Sequence, residues 1–316
     1  MAELDPGIAK LLADIEKSTL PRIWELPVTE AREAAHKGNQ INNGPIPPGA
    51  TLTQVEIPSP HGPLPVRLYR PKEQLEGKIL PLLLYFHGGG WVINSAQDLD
   101  VPNILLCQAA DCLIASVDYR LAPEHPFPKG LEDVFTTLQW AQQNAGEWGA
   151  DPKRIAVAGD SAGGNLAAVV AHLNRDQGGP DLSFQLLIYP NTDIEGDYPS
   201  RKEFGKGYNL EWVGMQWFTD QYAPDPKEHS NPKMSPIRSE SFSGLPPALV
   251  ITAGFDPLQD EGKAYIPKLQ QAGIPVQHEH FASMIHGFYL MRGRSPVVVD
   301  QAIALCGAAL KKAFEN

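Results

Sequence analysis

The five residues Gly159-Asp160-Ser161-Ala162-Gly163 constrain this chain more than any other stretch. The apolar run Ile155-Ala156-Val157-Ala158 precedes them, and the helix-forming run Asn165-Leu166-Ala167-Ala168-Val169-Val170-Ala171 follows. The pattern is G-x-S-x-G between a strand and a helix, the context of a nucleophile elbow. So sharp a turn admits only small residues around the serine, and glycine tolerates its backbone angles best. The serine hydroxyl then stands clear of the sheet at the head of a helix. Taken alone, five residues of this kind also describe an ordinary glycine-rich turn. The flanking strand and helix argue against that plainer reading.

A second glycine segment lies upstream. His87-Gly88-Gly89-Gly90 follows the apolar run Leu80 to Phe86. Consecutive glycines after a buried strand let the backbone approach a ligand and turn its N–H groups inward. Acyl transfer requires such donors, because charge builds on the carbonyl oxygen in the transition state, and one lost donor typically costs ~10²–10³ in rate. The N–H groups of Gly88, Gly89 and Ala162 are therefore assigned to an oxyanion hole.

A serine nucleophile requires a base, and the base an orienting acid. On a strand–elbow–helix scaffold the order is serine, carboxylate, histidine. Downstream, Ala248 to Phe255 reads as a buried strand and Asp256-Pro257 stands at its end; Val276 to Phe281 reads as another strand, with His286 in the loop after it. Ligands of open α/β sheets gather at the carboxyl ends of strands, where Ser161, Asp256 and His286 all fall. Asp260 and Glu261 compete with Asp256 but lie inside the next predicted helix. Of the nine histidines, His36, His61, His172 and His229 read as surface residues, and His125 lies in a proline-rich loop. His87 reads as a support for the glycine loop. His278 and His280, two apart on a strand, share a face and read as exposed.

These blocks, with Asp118-Tyr119-Arg120-Leu121-Ala122-Pro123-Glu124-His125-Pro126-Phe127-Pro128 and Asp256-Pro257-Leu258, run in the order found in a known group. From about residue 80 onward the chain resembles the hormone-sensitive-lipase-like carboxylesterases of the α/β-hydrolase superfamily. The resemblance implies an α/β-hydrolase fold, with a mostly parallel sheet flanked by helices. It also implies a helical cap from residues of about 1–45 and about 191–245 on a single domain spanning 1–316. Hydrolysis of short- to medium-chain acyl esters through an acyl-enzyme is the implied activity, with no cofactor and no metal. A homodimer is compatible with it. In that group glycine usually stands where this chain has Ser283, so a left-handed backbone there would be strained. The same machinery would serve an arylamide deacetylase, an amidase or a lactonase. A non-catalytic receptor on the same fold is the alternative of another class, and the presence of His286 counts against it.

The rest of the sequence agrees with an α/β chain. Helices are expected at 5–17 and 20–37, with a connector at 38–50 and a hairpin of strands 52–57 and 64–70. Strands 80–86 and 112–118 bracket a helix at 98–110, and a helix at 129–146 precedes strand 154–159. Strands at 184–189, 248–253 and 276–281 follow, with helices at 258–272 and 296–314. Such alternation implies a mostly parallel sheet. The segment 191–245 interrupts it with Tyr198, Phe204, Tyr208, Trp212, Trp217, Phe218 and Tyr222. A Trp212–Tyr222 helix and the N-terminal helices are expected to line an apolar pocket, with Trp91, Trp212, Trp217 and Phe288 as its candidate residues. Asp118, Arg120 and Glu124 are expected to form a buried ion network behind the histidine loop, and Asp160 to brace the elbow.

A net charge of −11 argues against nucleic acid and anionic membranes as partners. The partner expected is a small-molecule ester. No apolar run reaches the ~18 residues of a membrane span. The start, Met1 to Pro6, has neither the basic residues nor the apolar core of a secretory signal. Cys107, Cys112 and Cys306 show no metal spacing and read as buried free thiols. Both features point to a cytoplasmic protein.

Overall fold

The computed structural model describes residues 3–72 and 77–315. Two helices lead, α1 (Pro6–Lys17) and α2 (Val28–Asn43). The strands are β1 (Ala50–Ile57), β2 (Leu64–Pro71), β3 (Leu80–Phe86), β4 (Leu113–Val117), β5 (Ala150–Asp160), β6 (Phe184–Ile188), β7 (Ala248–Phe255) and β8 (Val276–Ile285). Between and after them run α3 (Asp100–Ala110), α4 (Lys129–Asn144), α5 (Ala162–Asp176), the short α6 (Pro199–Glu203), α7 (Trp212–Tyr222), α8 (Gln259–Gln271) and α9 (Pro296–Phe314). The eight strands form one sheet in the order β1-β2-β4-β3-β5-β6-β7-β8. β2 runs antiparallel to both its neighbours, and the pairs from β4 to β8 are parallel.

Alternation along the central strands divides the core into two layers. Leu82, Leu84 and Phe86 of β3 join one cluster, with Leu166 and Val170 of α5 and Val134 and Leu138 of α4. Leu83 and Tyr85 join the other, with Ile104 of α3 and Ile303 and Leu310 of α9. Side chains of a strand point to opposite faces at every step. A strand covered on both faces therefore reads as an unbroken apolar run, as Leu80–Phe86 does.

Two elements differ from expectation in ways that matter for the site. The second N-terminal helix begins only at Val28, after Pro27, and runs on to Asn43 through residues expected to form a connector. Its polar end is held by tertiary bonds: Asn39 donates to Asn94, the Asn43 amide donates to the Asp98 carbonyl, and Asn42 accepts from Gly293 N and Arg294. These outweigh the weak helix propensity of glycine and asparagine. The last strand extends to Ile285, so His286 follows it directly. Ser283 lies within that extended strand and not among the positive-φ residues, so the strain expected at this position is absent.

Candidate active site

At the end of β5 the backbone turns so sharply that Ser161 adopts φ 57°, ψ −119°. A non-glycine residue holds such angles only where its surroundings over-determine them. Here a Cβ on Gly163 would sit 1.9 Å from the Phe86 carbonyl oxygen, and one on Gly159 would sit 2.2 Å from that of Gly163. The flanking glycines are thus required by backbone packed against backbone. The turn leaves Ser161 half-buried at the head of α5.

His286 reaches that serine from the end of β8. Its Nε2 lies 2.8 Å from Ser161 Oγ, and its Nδ1 lies 2.8 Å from Asp256 Oδ2. Asp256, at the end of β7, has no exposed surface, and its second oxygen accepts from Leu258 N at 2.8 Å. A carboxylate opposite Nδ1 makes that nitrogen the donor and leaves Nε2 to accept the serine proton. The ring of Tyr189 packs on the imidazole at 4.7 Å. The three strands thus bring together Ser161, Asp256 and His286, which lie far apart in sequence.

The two competing carboxylates are engaged elsewhere. Asp260 accepts from Ser200 N. Glu261 is buried, pairs with Arg201, and accepts from Thr192 N at 2.8 Å. Burial pushes its carboxyl up to about 7, against the pull of Arg201 and the two backbone donors.

The glycine loop corrects one assignment. The N–H of Gly88 donates to Asp160 Oδ1 at 3.0 Å, an oxygen that also accepts from the Tyr85 hydroxyl at 3.2 Å. Gly88 is therefore not a free donor. Among the described residues the N–H groups of Gly89, Gly90 and Ala162 meet no protein acceptor. Burial raises the Asp160 carboxyl above its usual range. His87 supports the loop as expected, with Nδ1 2.8 Å from the Gly88 carbonyl oxygen and its ring stacked on Tyr119.

The pocket candidates divide. Phe288 has no exposed surface and packs between Tyr189 and Phe281, so it belongs to the core and lines no open space. Trp91 is also buried, stacked at 4.5 Å on Tyr222. Trp217 packs against Phe218. Trp212 is 41% exposed and lies over the Arg201 guanidinium. Phe218 is the residue that sequence reasoning passed over. A Cβ on Gly90 would lie 2.2 Å from its ring, so α7 lies directly on the glycine loop. The N-terminal segment meets the same helix, where a Cβ on Gly214 would lie 2.8 Å from the Trp24 ring.

Other expectations also change. Asp118, Arg120 and Glu124 form no common network: Asp118 accepts from Ala96 N, Arg120 pairs with Asp133, and the half-exposed Glu124 pairs with Arg32. His172 is buried against Tyr265, and burial lowers its pKa to about 4. His278 and His280 are exposed and share the Thr252 hydroxyl, each at 2.9 Å. Cys107, Cys112 and Cys306 are buried free thiols. No helix of the described residues is long and apolar enough to cross a membrane.

Comparison with known proteins identifies the family. A family model described as the α/β-hydrolase fold matches residues 83–290. The carboxylic ester hydrolase LipN of Mycobacterium tuberculosis is 42% identical over 270 residues, covering 83% of this chain and 71% of its own. The chain belongs to the α/β-hydrolase superfamily, in its hormone-sensitive-lipase-like carboxylesterase group. Over almost its whole length this esterase is also similar to the ethyl acetate hydrolase of Pseudomonas putida, with 34% identity over 98% of this chain and 99% of the relative. An ester hydrolase from the metagenome of Lake Arreo, solved with a bipyridine phosphonate derivative, superimposes with a TM-score of 0.95 at 36% identity, covering 99% of this chain and 100% of that one.

Proposed function

We propose that the protein hydrolyses short- to medium-chain acyl esters, with Ser161 as nucleophile, His286 as general base and acid, and Asp256 as its orienting carboxylate. The relay of two 2.8 Å contacts, Ser161 to His286 and His286 to Asp256, carries this reading. Ser161 Oγ attacks the ester carbonyl as His286 Nε2 takes its proton. The tetrahedral oxyanion is held by the N–H groups of Gly89, Gly90 and Ala162. His286 then protonates the leaving alcohol. Water, deprotonated by the same nitrogen, releases the acid from the acyl-serine. Asp256 orients the imidazole and stabilises the imidazolium.

The cap in this reading is residues of about 1–45 together with about 191–245. Support comes from the contact of Trp24 with Gly214 and the seat of Phe218 on Gly90. The Phe218 ring on Gly90 is an apolar surface beside the loop against which an acyl chain could pack. The small ester named for the Pseudomonas putida relative points to short acyl chains. Rates for p-nitrophenyl esters of increasing acyl length test the proposal. Turnover should be highest from acetate to hexanoate, fall beyond octanoate, and vanish in Ser161→Ala. Normal turnover by that variant would overturn the mechanism, and an optimum at long chains would overturn the substrate class.

A further inference from the structure

The loop that carries the proposed oxyanion donors follows a strained path. Gly89, Gly90, Trp91 and Asn94 have φ of 113°, 58°, 61° and 70°. Two of these are not glycine, and each such residue carries strain that only its neighbours can impose. The neighbours include Gly88, fixed on Asp160, and Trp91, whose carbonyl oxygen accepts from Ala122 N at 2.9 Å. The loop also bonds to itself, with Val92 N and Ile93 N both donating to the Gly89 carbonyl oxygen, and His87 Nδ1 lies 2.8 Å from that of Gly88. Further ties come from α2, some 50 or more residues upstream in sequence. Arg32 Nε donates to the Val92 carbonyl oxygen at 2.8 Å, and its Nη2 donates to that of Ala122 at 2.9 Å. One planar guanidinium thus joins the two segments that the Trp91–Ala122 bond also joins. Asn39 Nδ2 donates to Asn94 Oδ1 at 2.9 Å, and Asn94 Nδ2 in turn donates to the Gly88 carbonyl oxygen at 3.3 Å. The bonds therefore run from α2 to both ends of the glycine turn.

We propose that Arg32 and Asn39 are positioning residues for ester hydrolysis: through Val92, Ala122 and Asn94 they hold the Gly89 and Gly90 amides where the oxyanion forms. The inference rests on the hydrolase reading above. The N-terminal helix is then part of the machinery that stabilises the transition state, in addition to covering the site. Arg32 suits the task because its fork is rigid and always charged, so one side chain fixes two carbonyl oxygens at once. Glu124 accepts from the same guanidinium, at Nη1 and Nη2, but its carboxylate is half-exposed and, among the described residues, makes no hydrogen bond to the glycine loop.

The test uses the full chain with Arg32→Ala, Asn39→Ala and Glu124→Gln. Active serines are counted by titration with diethyl p-nitrophenyl phosphate, so that misfolded protein drops out of the rates. Kinetics on p-nitrophenyl butyrate and inhibition by an alkyl trifluoromethyl ketone, whose serine adduct places an oxyanion in the hole, complete the set. Loose donors misplaced by ~1 Å cost up to about 100-fold. Arg32→Ala is expected to lower kcat per titrated serine about 10- to 100-fold, and Asn39→Ala about 5- to 20-fold, with KM within twofold. The ketone inhibition constant should rise by the same factors as kcat/KM falls. Glu124→Gln keeps both carbonyl bonds and should match the unaltered protein. The proposal is overturned if both alanine variants keep kcat per serine within twofold, if the loss lies in KM alone, or if Glu124→Gln loses as much as Arg32→Ala. Turnover by Ser161→Ala would instead overturn the hydrolase reading, so the two failures are distinguishable. Asn39→Ala, the milder change, keeps the test decisive if Arg32→Ala does not fold.

Discussion

Removing the Asp160 side chain tests how the elbow and the glycine loop are joined. Asp160 is 3% exposed, and one of its oxygens accepts from both Gly88 N and the Tyr85 hydroxyl, at 3.0 and 3.2 Å. Asp160→Ala strands both donors in the interior. Each unsatisfied buried donor costs ~1–3 kcal/mol, so the loss should be about 2–6 kcal/mol. Unfolding entropy near ~2.1 cal/mol/K per residue gives roughly 0.7 kcal/mol/K for 316 residues. The expected fall in Tm is then about 3–9 °C. Freed from its anchor, Gly88 no longer sets the position of Gly89, and kcat should fall at least about tenfold. Asp160→Asn keeps an acceptor at the same place and removes only the charge, so it should stay within about 1 kcal/mol of the parent near pH 5.

Because burial raises the Asp160 carboxyl above its unfolded value, its contribution to stability is complete below that unfolded value of ~3.9 and declines as pH rises through the folded one. Asp160→Asn lacks this decline and should gain on the parent as pH increases. Thermal melts of the three proteins across pH, with p-nitrophenyl butyrate rates alongside, give the answer. If Asp160→Asn proved as damaging as Asp160→Ala, the charge would matter and not the acceptor, and the reasoning would fail.

Three further outcomes are expected. Asp256→Asn should fold, keep KM within a few-fold, and lose ~10³–10⁴ in kcat, because the imidazole loses both its tautomer and its counter-charge; steady-state kinetics on the titrated variant would show this. His172 is held neutral at about 4, below its unfolded ~6.5, so its share of stability is present above pH 6.5 and is lost as pH falls through 4. That share is roughly 3 kcal/mol, and His172→Gln, which still accepts from Tyr265, should lose less stability than the parent when urea midpoints at pH 7 and pH 4.5 are compared. Gly163→Ala drives a Cβ to 1.9 Å from the Phe86 carbonyl oxygen, where only backbone could yield; it should destabilise by ~3 kcal/mol or more and abolish measurable esterase activity in the soluble fraction.

An element is legible in the sequence where a local pattern and the global fold demand the same residue. The apolar run of β3, the elbow after β5 and the bounds of α7 and α9 follow from periodicity and small-residue spacing. The placement of Asp256 and His286 follows from topology, since parallel strands deliver their carboxyl ends to one edge. Features decided by long-range hydrogen bonds leave no local pattern. The Gly88 amide counts as free until Asp160 is seen to claim it. The end of α2 reads as a loop because Gly38, Asn39 and Asn43 disfavour helix, and only their tertiary partners reverse that preference. Phe288 carries the same apolar signal whether it faces a pocket or the core. Phe218 was one aromatic among several until its ring was found on Gly90. Arg120 and Glu124 sit close together in sequence but face different neighbours, Asp133 and Arg32.

The most direct measurement is mass spectrometry of the folded protein after brief exposure to a fluorophosphonate, followed by proteolysis and peptide sequencing. One adduct per chain is expected, on Ser161, formed at a rate that falls with His286→Ala and in step with the loss of ester hydrolysis. An adduct on another residue, or undiminished hydrolysis by protein fully labelled at Ser161, would contradict Ser161 as the nucleophile.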